Sequence, residues 1–532
     1  VPVGRPQTSS RERALRCALA LAGSAAGVAF AAQIFVMLRA RHELTQVESI
    51  VGIHARMLAA GEGLYYDLQQ YPFTVSPYGP LFYSLSAGLQ QMGLPVLPAG
   101  RLITLTALVL VVLLCWRLLM LYTADRAASV AGTLLLASTA NLLQWGTIGQ
   151  VDMLALCFSL AALLQFSYFD RTGKLAPLMG SGACIALAVF TKQSFVAAGA
   201  AIALLVLLKN RRRGVCFTAC LAVGGLALAA ALNSFTAGRF FDNTVLANLN
   251  PFSAQKIWRH LQYFLPAAGS LLLLSAAGWK AAPSGRFHPF HVYLAAAAGV
   301  MALTAPKVGS DLNYQLETMT VLCLCAGWSL HRLEFFPLWL RRDTGWVTLL
   351  EIPLLLHLAL NVSLTAKAVL ERGWLQDLRR QEAAALRPYL GRARGPVLSV
   401  QIDPLLQNGL RMEVEPLIYT LLVDAGVVDP EPLRRDLANG RFALVLLYEN
   451  LFVAAAPANS RRNPEVPSLP ESHLREIRQN YRLVGHVAGP LLGGDYLYEP
   501  IKHSRARPPQ RSSTGVEVDY SQRPIAAHSP RP

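Results

Sequence analysis

Charge is scarce in this chain. Asp, Glu, Lys and Arg make up only 15% of its 532 residues, against 53% hydrophobic ones. A water-soluble domain carries about a quarter charged residues to cover its surface, so a soluble fold is excluded. Acids are scarcer still, 32 against 48 bases. The resulting charge of +16 does not mark a nucleic-acid binder. The basic residues gather in short loops between apolar runs, and the aromatic-basic interleaving that single-strand binding uses is missing. There are eight cysteines, all at or within apolar runs. Cys323 and Cys325 are spaced C-x-C and Cys216 and Cys220 lie four apart. No His or Cys partners complete a zinc set, so they read as small buried hydrophobes. No metal or cofactor is implied, and no internal repeat points to an inverted-repeat transporter.

What the chain does have is apolar runs of spanning length, repeated through the first 366 positions. The fold class expected is an α-helical polytopic membrane protein with about 11 transmembrane helices and a small C-terminal α/β domain outside the membrane. The first run, Cys17 to Leu38, reads as a retained helix, since it exceeds a signal-peptide core and no small-x-small cleavage site follows. Later runs fall near 152–169, 175–191, 194–208, 214–235, 261–281, 288–305, 313–331 and 346–366. Arg5, Arg11, Arg13 and Arg16 precede the first run. Arg171 with Lys174, Lys209 with Arg211 to Arg213, and His331, Arg332, Arg341 and Arg342 occupy alternate loops. The positive-inside rule puts these in the cytoplasm. Segment 39–78, the edge holding Asp152, Lys192 with Gln193, loops 236–260 and 306–312, and everything after about 367 then face outward. Parity requires that one of the runs near 79–95, 101–122 and 127–144 does not span, the first being a candidate.

The expected organisation is residues 1–16 cytoplasmic, 17–372 the transmembrane domain, 373–502 the outer α/β domain and 503–532 a Pro-, Ser- and Arg-rich disordered tail. The α/β reading rests on short β-like runs at 397–402, 442–448 and 481–487.

Several polar groups collect on the outer face. In Glu43 to Leu85, Val47, Ile50, Val51, His54 and Leu58 form one helical stripe, with Glu48, Arg56 and Glu62 on other faces. Such a helix is expected to lie along the membrane surface. The turn-rich stretch after it, GLYYDLQQYPFTVSPYGPL with Tyr78, can line a pocket at headgroup level. Asp152 opens a spanning run, where a carboxylate costs free energy unless paired, hydrated or used. It reads either as an edge residue reaching water or as a functional acid, and Glu48 either as a solvated carboxylate or as the same. Lys192, in FTKQS, reads either as a snorkelling anchor or as the partner of an anionic headgroup.

Four stretches in this order resemble one family: the acid followed by RMLAAGEGLYYD and SPYGPLFYSL, GQVDMLALCFSLAALL, FTKQS, and KVGSDLNYQLE from Lys307 to Glu317. Together they extend over most of residues 10–370. The chain resembles the GT-C class of membrane glycosyltransferases, particularly bacterial members related to protein O-mannosyltransferases and aminoarabinose transferases. The resemblance implies a polyprenyl-phosphate sugar donor, membrane lipids as surroundings, a lipid, glycan or protein acceptor, no nucleic acid, and a multi-pass place in the bacterial inner membrane. It puts the catalytic carboxylate of the first outer loop at Glu48, where many relatives have Asp or an Asp-Glu pair and this chain reads Val47-Glu48, and the second acid at Asp152.

On that resemblance Glu48 is expected to be the general base for the acceptor hydroxyl. Asp152 would orient the acceptor or base, and Lys192 would meet the donor phosphate. Arg56, Tyr78, Lys307, Asn313, Tyr314 and Glu317 are further candidates for sugar or phosphate contacts. Two other classes stay open: a transporter or flippase of lipid-linked glycans, which would want ionisable residues deep in several helices, and a non-catalytic envelope assembly protein.

Overall fold

The computed structural model describes residues 10–280, 288–334, 345–452, 468–490 and 493–501. Arg5, Arg341, Arg342 and the tail expected at 503–532 lie outside them. The described chain divides into two compact units. The first runs to Leu68 and from Val75 to Gly373, and the second comprises Gln69–Thr74 and the chain from Trp374.

The first unit is all helix: α1 (Ser10–Arg39), α2 (Gln46–Ala59), α3 (Pro80–Gln91), α4 (Val96–Thr123), α5 (Arg126–Ser138), α6 (Ala140–Trp145), α7 (Val151–Thr172), α8 (Leu175–Val189), α9 (Ala197–Lys209), α10 (Arg211–Phe235), α11 (Arg239–Thr244), α12 (Ala254–Lys280), α13 (Pro289–Thr304), α14 (Leu316–Arg332) and α15 (Gly345–Arg392). Among the described residues six helices are long and apolar enough to cross a bilayer, and four shorter apolar ones pack among them. Of the six, α7 is the most enclosed and α10 the least. Nearly every residue of α14 is buried, as a helix hydrophobic all round requires.

Local chemistry explains several boundaries. Asp125 caps α5 by accepting from the backbone N–H groups of Ala127 and Ala128. Asn210 caps α10 through Arg213 N–H. Three arginines fill the first turn of α10, where they oppose the helix dipole. The run near 79–95 forms the 12-residue α3, and the run near 127–144 forms the 13-residue α5 followed by the six-residue α6, so both are shorter than a straight bilayer span. α15 continues far past the expected stop at 366. At 1.5 Å per residue it is about 70 Å long, and its part from Trp374 is counted with the second unit.

Two further expectations fail. Cys17, Cys216 and Cys220, read as buried hydrophobes, are exposed among the described residues. α2 is not a half-solvated surface helix, because Glu48 and eight other residues, including Ile50, Gly52, His54 and Ala55, are buried around it. Small residues make this possible: a Cβ on Gly52 would lie 2.7 Å from Val96.

The second unit is built on a four-stranded sheet: β1 (Val397–Ser399), β2 (Leu444–Leu447), β3 (Tyr481–Val487) and β4 (Asp495–Pro500), in spatial order β1-β2-β4-β3. β1 and β2 are parallel and the other pairs antiparallel. The central strand β2 reads Leu-Val-Leu-Leu and is buried at every position, as a strand covered on both faces should be. Segment Gln69–Thr74 joins this unit: Phe73 N–H donates to the Glu413 carbonyl at 2.9 Å and Glu415 N–H to the Phe73 carbonyl at 2.8 Å.

Candidate active site

The start of α7 gathers the two acids singled out from sequence. Asp152 lies in its first turn, where the positive end of the helix dipole favours a carboxylate. Gly149, just before the helix, donates its N–H to Glu48 Oε1 at 2.9 Å. A side chain at Gly149 would press on the Gly100 and Arg101 backbone and on Glu48, so glycine lets α4 and this loop meet.

Glu48 is fully engaged. Arg101 of α4 grips it with both nitrogens of its fork, Nε to Oε1 at 2.7 Å and Nη2 to Oε2 at 2.8 Å. Leu44 N–H donates to Oε2 at 2.9 Å. The same guanidinium donates to the carbonyls of Met37, Ala40 and His42. Carboxylate and guanidinium are 1% and 3% exposed. Four donors occupy the carboxylate, so it takes a proton from a substrate only after surrendering one. This is the geometry of an anchor joining α2, α4 and the start of α7. Sequence reasoning missed Arg101, although the criterion that singled out Asp152, a lone charge at the edge of an apolar run, applies to it equally.

Asp152 faces a different set. Lys192 Nζ donates to its Oδ1 at 2.5 Å, and Asn313 Nδ2 reaches both oxygens at 3.2 Å. The ammonium sits over the rings of Tyr314 and Tyr78, 4.5 and 5.6 Å from their centres, within cation–π range. Burial works against the Lys192 charge, but the pull of Asp152, helped by Tyr314 and Tyr78, outweighs it and holds the ammonium above its ordinary value. A small cavity of about 10 Å³, room for one water, is lined by Lys192, Ser194, Phe195, Asn313, Tyr314 and Glu317 among others.

The loops carrying these groups are tied together. Gln193 Nε2 donates to the Pro77 and Thr244 carbonyls at 2.7 and 3.1 Å, and Asn248 Nδ2 to Pro77 at 3.0 Å. Gly79 is pressed so closely on the Phe190 carbonyl that a Cβ would lie 1.9 Å from its oxygen. SPYGP and FTKQS, 110 residues apart, are therefore one structural feature.

The remaining candidates divide. Tyr78, Asn313, Tyr314 and Glu317 join the Asp152–Lys192 group, although Glu317 Oε1 already accepts from Tyr293 Oη at 2.6 Å. Arg56 lies two turns along α2 from Glu48, half-buried and with Glu62 as the charge acting on it. Lys307 is half-buried and its backbone bridges to Phe252.

Residues 76–236 match the family model of dolichyl-phosphate-mannose-protein mannosyltransferases. That span holds Tyr78, Asp152 and Lys192 and omits Glu48 and Asn313. No curated protein matches the chain by sequence. Among solved structures the chain is similar to ArnT from Cupriavidus metallidurans bound to undecaprenyl phosphate, with a TM-score of 0.59 and 14% identity over 92% of this chain and 99% of that one. The apo form of the same protein gives 0.58 and 14% over 90% and 97%. The fold is that of the GT-C membrane glycosyltransferases.

Proposed function

We propose that this chain transfers a sugar from a polyprenyl-phosphate donor to an acceptor hydroxyl at the extracytoplasmic face of a bacterial inner membrane. The observation that carries the reading is the buried Lys192, held among Asp152, Asn313, Tyr314 and Tyr78 beside a small cavity. A buried ammonium flanked by aromatic rings suits a phosphate whose sugar packs against those rings. The undecaprenyl phosphate bound to the ArnT structure of the same fold supports that class of donor.

In the proposed reaction the acceptor oxygen bonds to the anomeric carbon while the bond from that carbon to the phosphate oxygen breaks. The electron pair leaves with the polyprenyl phosphate, and Lys192 stabilises the added negative charge. The acceptor proton passes to a carboxylate. Asp152 fits this role better than Glu48. Its strongest partner, Lys192, is the group a donor phosphate would recruit, and that recruitment would leave an oxygen free. Glu48, with four donors in place, holds the start of α7 and so the position of Asp152. We assign the acids in that way, with Asn313, Tyr314 and Tyr78 contacting donor sugar or phosphate.

The outward placing of the site and of the unit beginning at Trp374 follows from the basic loops alone. A flippase is less well supported, because the two candidate acids, Glu48 and Asp152, meet at the start of one helix. The test is donor consumption by the purified protein, with Lys192→Ala weakening donor binding and Lys192→Arg retaining part of it.

A further inference from the structure

The loop that brings Asn313 and Tyr314 to Asp152 and Lys192 is fastened from behind by α12. Lys256 and His260 lie four residues apart on that helix, hence on one face, and both are nearly buried at 6% and 7% exposure. Lys256 Nζ donates to the Ser310 carbonyl at 2.8 Å. Ser310 Oγ spends its hydrogen on the Ala305 carbonyl at 2.5 Å, so in its 3.1 Å contact with His260 Nε2 it accepts. That contact assigns the imidazole tautomer with hydrogen on Nε2 and leaves Nδ1 as an acceptor. Gln315 Nε2 fills that acceptor at 3.2 Å and gives its other hydrogen to the His260 carbonyl at 3.1 Å. Backbone bonds extend the fastening: Ser253 N–H to Pro306 O at 2.8 Å and Val308 N–H to Pro251 O at 2.9 Å. Asn313 and Tyr314 thus sit between two ties, at Ser310 and at Gln315.

We propose that Lys256 and His260 are positioning residues of the donor site, holding loop 305–315 in the shape that sets Asn313 against Asp152 and Tyr314 over Lys192. The proposal rests on the donor reading given above. A buried ammonium that reaches a loop carbonyl is costly to desolvate, and a neutral histidine with both ring nitrogens engaged fixes direction as well as distance. If the loop samples other shapes when a tie is lost, apparent donor affinity falls by the fraction of competent loop, while the chemical step of bound donor is unchanged.

The experiment uses the full chain in lipid nanodiscs and reads hydrogen exchange over 305–315 together with donor kinetics. His260→Ala should speed exchange in that segment and raise KM for a polyprenyl-phosphate sugar about tenfold, the scale of one to two lost hydrogen bonds, with kcat kept within about twofold. His260→Gln, whose amide nitrogen can replace Nε2 towards Ser310, should recover most of both. Lys256→Met gives a second variant if His260→Ala does not fold. Unchanged exchange in a folded variant, or faster exchange with KM at the wild-type value, overturns the proposal. If the wild type consumes no such donor, the function reading fails by itself, and the positioning role fails with it even where exchange shows the clasp to be real.

Discussion

Lys192 Nζ and Asp152 Oδ1 lie 2.5 Å apart with both side chains out of water. Removing one partner of a buried ion pair costs about 3–5 kcal/mol, because the other charge is left uncompensated. Asp152→Asn and Lys192→Met should each lower stability strongly, and the double variant should lose much less than the sum. Sugar transfer should stay absent in the double variant, since restored folding returns neither the proton acceptor nor the phosphate partner. Thermal unfolding and single-turnover transfer on the same preparations check this. Additive losses in stability would mean that the two groups do not act as a pair.

Glu48 and Arg101 form a second buried pair with a different expected phenotype. Glu48→Gln keeps size but loses the charge that the fork grips, so the first effect should be on folding, again about 3–5 kcal/mol. Arg101→Lys should be poorly tolerated, because an ammonium cannot reproduce the bidentate geometry. A Glu48→Gln protein that is fully stable yet devoid of transfer would return the role of base to Glu48.

The second unit should weaken in mild acid. Burial, opposed by a hydrogen bond to the Pro430 carbonyl and by Glu431 and reinforced by Arg434, pushes the His473 imidazole down to about 4, with Tyr419 Oη at 3.0 Å from Nε2. A base with a depressed folded value binds its proton more readily when unfolded. Its contribution is therefore present in full above pH 6.5 and is lost as pH falls towards 4. Between pH 7 and pH 5 the loss is on the order of 2 kcal/mol. Thermal unfolding of wild type and His473→Gln at both values measures it, and the variant should show a smaller drop.

Sidedness is checked with single cysteines at Asp377 and Arg212, both exposed, in a background without the native cysteines. An impermeant thiol reagent on intact cells should label the first and spare the second. The reverse pattern would invert the topology and move the site to the cytoplasmic face.

Much of this was legible in the sequence because it depends on composition along the chain. Apolar runs near 152–169, 214–235 and 288–305 became α7, α10 and α13, and the runs at 397–402, 442–448 and 481–487 each contain a strand. β4 was not foreseen: Asp495–Pro500 follows two glycines and ends on proline, so it offers little alternation. The surroundings of Glu48 were hidden for a different reason. The periodicity of α2 gives one apolar stripe, but its burial on other faces comes from Gly52 and Ala55 admitting neighbours and from an arginine 53 residues away. Asp152, Lys192 and Asn313 were each singled out, yet their convergence depends on loop contacts such as Gly79 against Phe190, which no local pattern encodes.

The central claim is tested most directly by incubating folded, purified protein with a panel of labelled polyprenyl-phosphate sugars and following release of free polyprenyl phosphate. At least one donor should be consumed by the wild type in the presence of a membrane extract supplying acceptors. Asp152→Asn, checked for folding and donor binding, should consume it at least about a hundredfold more slowly, the lower end of a general-base contribution. Consumption at the wild-type rate by that variant, or no consumption of any donor by folded wild type, would contradict the account.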